Sequence, residues 1–108
     1  MSVVIDISLK ERIAKKKYDN SEVHLLWNCI DSLEKSVSGQ LLRVVEFEGK
    51  IYKIMEKRAT RAYRVYFIVI LYLDYVIIVD IVKKKFQREY IDYLEKNVDN
   101  IFRRNFKV

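Results

Sequence analysis

The stretch Val65–Val82, "VYFIVILYLDYVIIVDIV", limits the fold more than any other part of this chain. It is β-branched and aromatic almost throughout, which suits strands rather than a helix. Its longest charge-free run, Val65–Leu73, is followed by Asp74 and Asp80. That is well short of the roughly 20 continuous apolar residues a membrane-spanning helix requires. The expectation is two strands, Tyr63–Tyr72 and Tyr75–Val82, folded about a turn at Leu73-Asp74-Tyr75, and no membrane association.

Strands this apolar need covering, and the flanking segments supply the material. "SVVIDIS", Ser2–Ser8, alternates loosely and predicts a short first strand. Leu9–Tyr18 predicts a short helix with Leu9, Ile13 and Tyr18 on one side. "DNSE", Asp19–Glu22, offers side-chain oxygens to the free amides of a following helix. That helix is predicted from Glu22 to about Val37, with Val23, Leu26, Trp27, Ile30, Leu33 and Val37 at helical spacing. Gly39 is expected to end it in a left-handed conformation.

From Leu41 the period becomes strand-like. "LLRVVEFE" and "KIYKIMEKR" are separated by Gly49 alone, either as a tight turn or as a bulged continuation. In the second segment Ile51, Lys53, Met55 and Lys57 share one face and Tyr52, Ile54 and Glu56 the other. "ATRA" reads as a turn. The tail, Phe86–Phe102, predicts a helix with a stripe of Phe86, Tyr90, Leu94, Val98 and Ile101. The 108 residues form one domain, 1–108, of α+β class. The expected architecture is an N-terminal helical hairpin on one face of an antiparallel sheet of three to five strands, with a C-terminal helix and the other face open.

Several kinds of chemistry are absent. One cysteine, Cys29, rules out an internal disulfide framework and fits a reducing cytoplasm. Its place in an apolar helical stripe makes it a buried small residue. The single histidine, His24, falls on the polar side of the same helix and reads as solvated. No cysteine–histidine metal spacing and no glycine-rich phosphate loop occurs, so neither metal nor cofactor is expected. The N-terminus lacks the long apolar run of a signal peptide.

Charge is what remains. Residues 1–49 carry seven Lys/Arg against eight Asp/Glu, whereas residues 50–108 carry fourteen against seven. The excess therefore belongs to the strand-rich half. Lys53, Lys57, Arg58, Arg61 and Arg64 lie on one strand–turn–strand unit, and Lys83, Lys84 and Lys85 end the last strand. Antiparallel pairing brings the two groups near each other. Such a patch binds phosphates, and tyrosines beside it stack on unpaired bases. Lysines at a strand end also serve simply to block edge pairing.

"FEGKIYKIMEKRATRAYRVYFIV" followed by "YVIIVDIVKKKFQREYID" resembles the RelE/ParE toxin superfamily, especially its HigB-like, phage-derived branch. Phe47, Gly49, Tyr52, Tyr63-Arg64-Val65 and Lys83-Lys84 occupy that family's motif positions, and the likeness covers roughly Phe47–Asp92. It implies a cytoplasmic toxin of a toxin–antitoxin system, partnered by a cognate antitoxin and by mRNA on the ribosome; a homodimer is a separate expectation that the resemblance does not supply. It also implies metal-independent mRNA cleavage, in which a 2′-hydroxyl attacks the adjacent phosphate and translation is inhibited. On that basis Arg64 faces the scissile phosphate, Lys83 and Lys84 stabilise charge, and Tyr90 assists proton transfer. Lys53, Lys57, Arg58, Arg61 and Lys85 hold the nucleic acid.

Two positions depart from the pattern: Met55 stands where HigB-like chains carry an arginine, and Asp80 where many carry a histidine. They point to the alternative, a catalytically degenerate regulator, virus- or plasmid-encoded, that binds nucleic acid or protein. A ParE-like toxin acting on DNA gyrase is a third reading.

Overall fold

In the structure, a computed structural model that describes residues 1–106, five strands form one mixed sheet. The strands are β1 (Ser2–Ile5), β2 (Gln40–Phe47), β3 (Lys50–Arg58), β4 (Tyr63–Ile70) and β5 (Tyr75–Lys83). The helices are α1 (Ile7–Ala14), α2 (Asn20–Lys35) and α3 (Gln87–Phe106). Spatial order is β1-β5-β4-β3-β2, with β1 parallel to β5 and every other pairing antiparallel. The α+β class holds, but the sheet is mixed rather than purely antiparallel because the first strand adds beside the last.

Both faces are covered, which corrects the expectation of an open one. α3 lays Ile91, Leu94, Val98, Ile101 and Phe102 on Tyr52, Ile54, Tyr66, Ile68, Ile70, Ile77 and Val79. On the opposite face Leu9 of α1 and Leu26, Cys29, Ile30 and Leu33 of α2 cover Val65, Phe67, Val69, Val76, Ile78 and Ile81. β4 and β5 read as continuous apolar runs because each residue meets a helix whichever way it points. Among the described residues no helix is long and apolar enough to cross a membrane.

Local chemistry sets the boundaries. β1 stops at Ile5 because Asp6 caps α1, its carboxylate accepting from the Ser8 amide at 3.4 Å. Asp19 caps α2 in a reciprocal box with Glu22, as the "DNSE" segment leads one to expect. α1 and α2 both contribute to the core on this face, Leu9 from the first and Leu26, Cys29, Ile30 and Leu33 from the second. Trp27, expected in the buried stripe of α2, is exposed.

Gly39 is not a left-handed cap: α2 ends at Lys35 with Ser36 already extended. Gly39 instead lets the incoming chain press on β3, where a Cβ would stand 2.4 Å from the Glu56 carbonyl oxygen. Between β2 and β3 the connection is a tight two-residue turn. Glu48 (φ 51°) and Gly49 (φ 78°) are both left-handed, as a type I′ hairpin requires.

Candidate nucleic-acid interface

The sheet gathers the cations at one end, where β3 and β5 finish and β4 begins. Arg64 pairs across to Arg58 and to Val82, and Tyr63 pairs with Lys83. The Ala59–Ala62 loop closes this end, and its Ala62 carbonyl accepts from the Lys84 amide at 2.7 Å. The single turn Lys84–Phe86 then leads into α3, placing Arg88 beside the lysines.

Alternation along the strands divides these cations between the two faces. Arg64 shares its face with Tyr66, Ile68 and the α3 side of the sheet, whereas Lys83 shares that of Tyr63 and lies near Asp19 at the start of α2. Arg64 is buried: its Nη1 donates to the Thr60 carbonyl at 2.8 Å and the Tyr63 carbonyl at 3.0 Å, and its Nε lies 4.0 Å from Glu56. Two hollows result. A polar cleft of about 480 Å³ is lined by Ser38, Gly39, Gln40, Glu56, Lys57, Arg58 and Arg64. A second, of about 310 Å³, is lined by Ala62, Lys83, Lys84 and Lys85. The four residues carried over as catalytic, Arg64, Lys83, Lys84 and Tyr90, therefore do not meet in one cavity.

Of the expected binding residues, Lys57 and Arg58 join Arg64 in the first cleft, and Lys57 Nζ donates to Ser38 Oγ at 3.1 Å. Arg61 is exposed on the loop between the hollows. Lys53 stands apart, since four residues of β3 carry it roughly 13 Å from Lys57. Tyr90 packs its ring 4.9 Å from Tyr66 and 5.6 Å from Tyr93. Burial, and then the Asp80 charge, hold its hydroxyl far above the ordinary tyrosine range.

Asp80 belongs to neither hollow. Its carboxylate accepts from Tyr18 at 2.6 Å and from its neighbour's amide at 2.8 Å, with Arg12 Nη2 at 3.4 Å. Burial pushes its pKa up in spite of these partners. The cation paired with Asp80 is Arg12, from the first helix.

Three features escape a reading of the sequence. Glu56 is buried in the first cleft, its Oε1 toward Arg64 and its Oε2 accepting from Gln87 Nε2 at 2.5 Å. The Tyr66 hydroxyl, deep beside this pair, has no hydrogen-bond partner among the described residues, and burial plus the Glu56 charge push it up to about 12. Phe86, expected in the buried stripe of α3, is instead half exposed on the turn among the lysines, with Lys85 Nζ 5.1 Å from its ring centre. An aromatic directly after a lysine run is the signal that could have marked it. Among the described residues no cluster of His, Cys, Asp and Glu is arranged to hold a metal. No protein-family model, curated protein or solved structure matches this chain.

Proposed function

We propose that this chain is an RNA-binding domain of RelE/HigB-like kind that holds single-stranded RNA at the basic end of its sheet. The observation that carries this reading is the Phe86 ring, exposed between Lys83-Lys84-Lys85 and Arg88. Cations fix the backbone of a single strand and an exposed aromatic stacks on a base, and neither needs sequence information. Binding of a labelled single-stranded RNA, followed by anisotropy across a salt series, tests it. Phe86→Ala should weaken binding by ~1–3 kcal/mol, about 5- to 160-fold. Lys84→Ala with Lys85→Ala should flatten the log–log salt slope by roughly 0.7 per lysine. Salt-independent binding, or none lost on removing the ring, would reject the interface.

A second reading, the ribosome-dependent mRNA endonuclease paired with an antitoxin, rests on Glu56 and Arg64 sharing the first cleft with Lys57 and Arg58. There a carboxylate can accept a 2′-hydroxyl proton while the cations stabilise charge on the attacked phosphate. Glu56→Gln separates the two readings. It removes the one carboxylate that lines that cleft among the described residues, so binding should tighten by about fivefold or less, while any cleavage should be lost. The products of such cleavage would end in a 2′,3′-cyclic phosphate, and a single 2′-deoxy substitution at the cut site would prevent it.

A further inference from the structure

β2 ends the sheet, and beyond the irregularity between Leu41 and Arg43 its outer edge runs in regular register from Arg43 to Phe47. An exposed edge strand is normally short, bulged or carries inward-pointing charge or lysine, because its unpaired N–H and C=O groups otherwise recruit another strand. The opposite edge, β1, follows that rule with only 4 residues. β2 has 8 and is less fully protected: its irregularity lies near its start, its charges are Arg43 and Glu46 with no lysine or proline, and it exposes Leu41 (48%), Val44 (56%) and Phe47 (41%) to solvent. Ile51, paired with Glu46, adds a further exposed aliphatic side chain at 47%.

The hydrogen-bond alternation shows which groups await a partner. Phe47 and Lys50 close a two-residue turn and so form a hydrogen-bonded pair within the hairpin. Alternation then directs the N–H and C=O of Glu46 and Val44 outward, while those of Val45 point in toward Tyr52.

We propose that this edge pairs antiparallel with the β2 edge of a second copy of the chain, about a two-fold axis through Val45. In that register Val44 faces Glu46 of the other copy, and the two exchange both backbone hydrogen bonds on either side of the axis. Arg43 faces Phe47, a cation above an exposed ring. The two Val45 side chains meet at the centre. Shifting by one pairing step in one direction opposes Glu46 to Glu46. Shifting in the other brings the irregularity between Leu41 and Arg43 into the ladder. Both alternatives are poorer, so the sequence of the strand selects the first. The antiparallel arrangement also sends the two basic ends to opposite limits of the joined sheet, which keeps two chains of net charge +6 from repelling strongly.

Sedimentation of the full chain without nucleic acid tests this, and it is independent of the RNA-binding reading. The expected result is a concentration-dependent species of twice the chain mass that disappears in Val44→Lys, with the thermal melt of the dilute protein unchanged. A second variant, Val45→Cys, should give a disulfide-linked dimer under mild oxidation, because facing residues at a non-hydrogen-bonded position lie ~4.5 Å apart between Cα atoms. Wild type, whose Cys29 is buried, should give none. A chain that stays monomeric at every concentration would overturn the proposal. So would a dimer that survives Val44→Lys, or a Val45→Cys protein that does not cross-link.

Discussion

The junction between β1 and α1 is tied to the end of α3 by one fully buried carboxylate, and the tie is unequal in a way that predicts which partner matters more. Asp6 accepts from Arg104 Nε at 2.9 Å and Nη2 at 2.5 Å, and from Asn105 Nδ2 at 2.9 Å. Asp6 is 0% exposed, whereas the Arg104 side chain is 33% exposed. Removing Asp6 leaves a guanidinium that can turn to water. Asp6→Ala should therefore cost a charge-assisted pair, about 2–3 kcal/mol, plus the low end of a helix cap, ~0.5 kcal/mol. Removing Arg104 leaves a carboxylate in a dry site with only Asn105 and the Ser8 amide, and breaking a buried pair from that side costs about 3–5 kcal/mol.

Against a total stability on the order of 5–15 kcal/mol for a chain of this size, either loss is large. The corresponding fall in melting temperature is roughly 10–20 °C. Urea titrations of Asp6→Ala, Arg104→Ala and the double variant, followed by far-ultraviolet circular dichroism, give the comparison. Arg104→Ala should be the worse single change, and adding Asp6→Ala to it should recover stability by removing the orphaned charge. An Arg104→Ala loss smaller than that of Asp6→Ala, or strict additivity in the double variant, would refute the burial argument.

The remaining predictions concern pH and packing. Burial raises the Asp80 pKa, so the folded state binds that proton more readily than the unfolded chain does. Its favourable contribution is complete in acid, below the unfolded value, and is lost as pH rises through the raised folded value. Asp80→Asn should therefore gain stability relative to wild type on going from about pH 4 to about pH 7; a relative loss over that range in urea titrations would contradict the sign. Gly39→Ala places a Cβ 2.4 Å from the Glu56 carbonyl oxygen, which is backbone and cannot step aside. It should cost about 1–3 kcal/mol and weaken RNA binding through Lys57 and Arg58, both measurable on the same preparation.

What was legible in the sequence and what was not divides along physical lines. Period and capping chemistry are local, so α2, the β3–β4–β5 strands and the Asp19 cap could be read directly. The second covered face was also written there, since β4 and β5 do not alternate. A strand with one wet side would have carried polar residues at every second position. Helices on one face alone do not account for that pattern.

Gly39 misled for a different reason. A glycine after a helix usually relieves backbone conformation, yet here it answers to a close approach from β3, a residue far along the chain. No window around Gly39 contains that constraint.

The site shows the same division more sharply. Strand pairing places Arg64 and Lys83 at the same end of the sheet, and this could be inferred from their positions beside the β4–β5 hairpin. Which face each takes depends on register, and Arg64 and Lys83 fall on opposite sides by a single residue of phase. The irregularity in β5 pairing between Tyr66 and Phe67 moves that phase within the strand itself. A one-residue bulge leaves almost no trace in composition, yet it decides whether two cations converge on one phosphate or hold two. Here Arg64 turns toward Glu56 and Gln87 while Lys83 turns toward α2. On the proposed RNA-binding reading, a strand of RNA would be held at two points across the end of the sheet, not by one phosphate gripped by all the cations together.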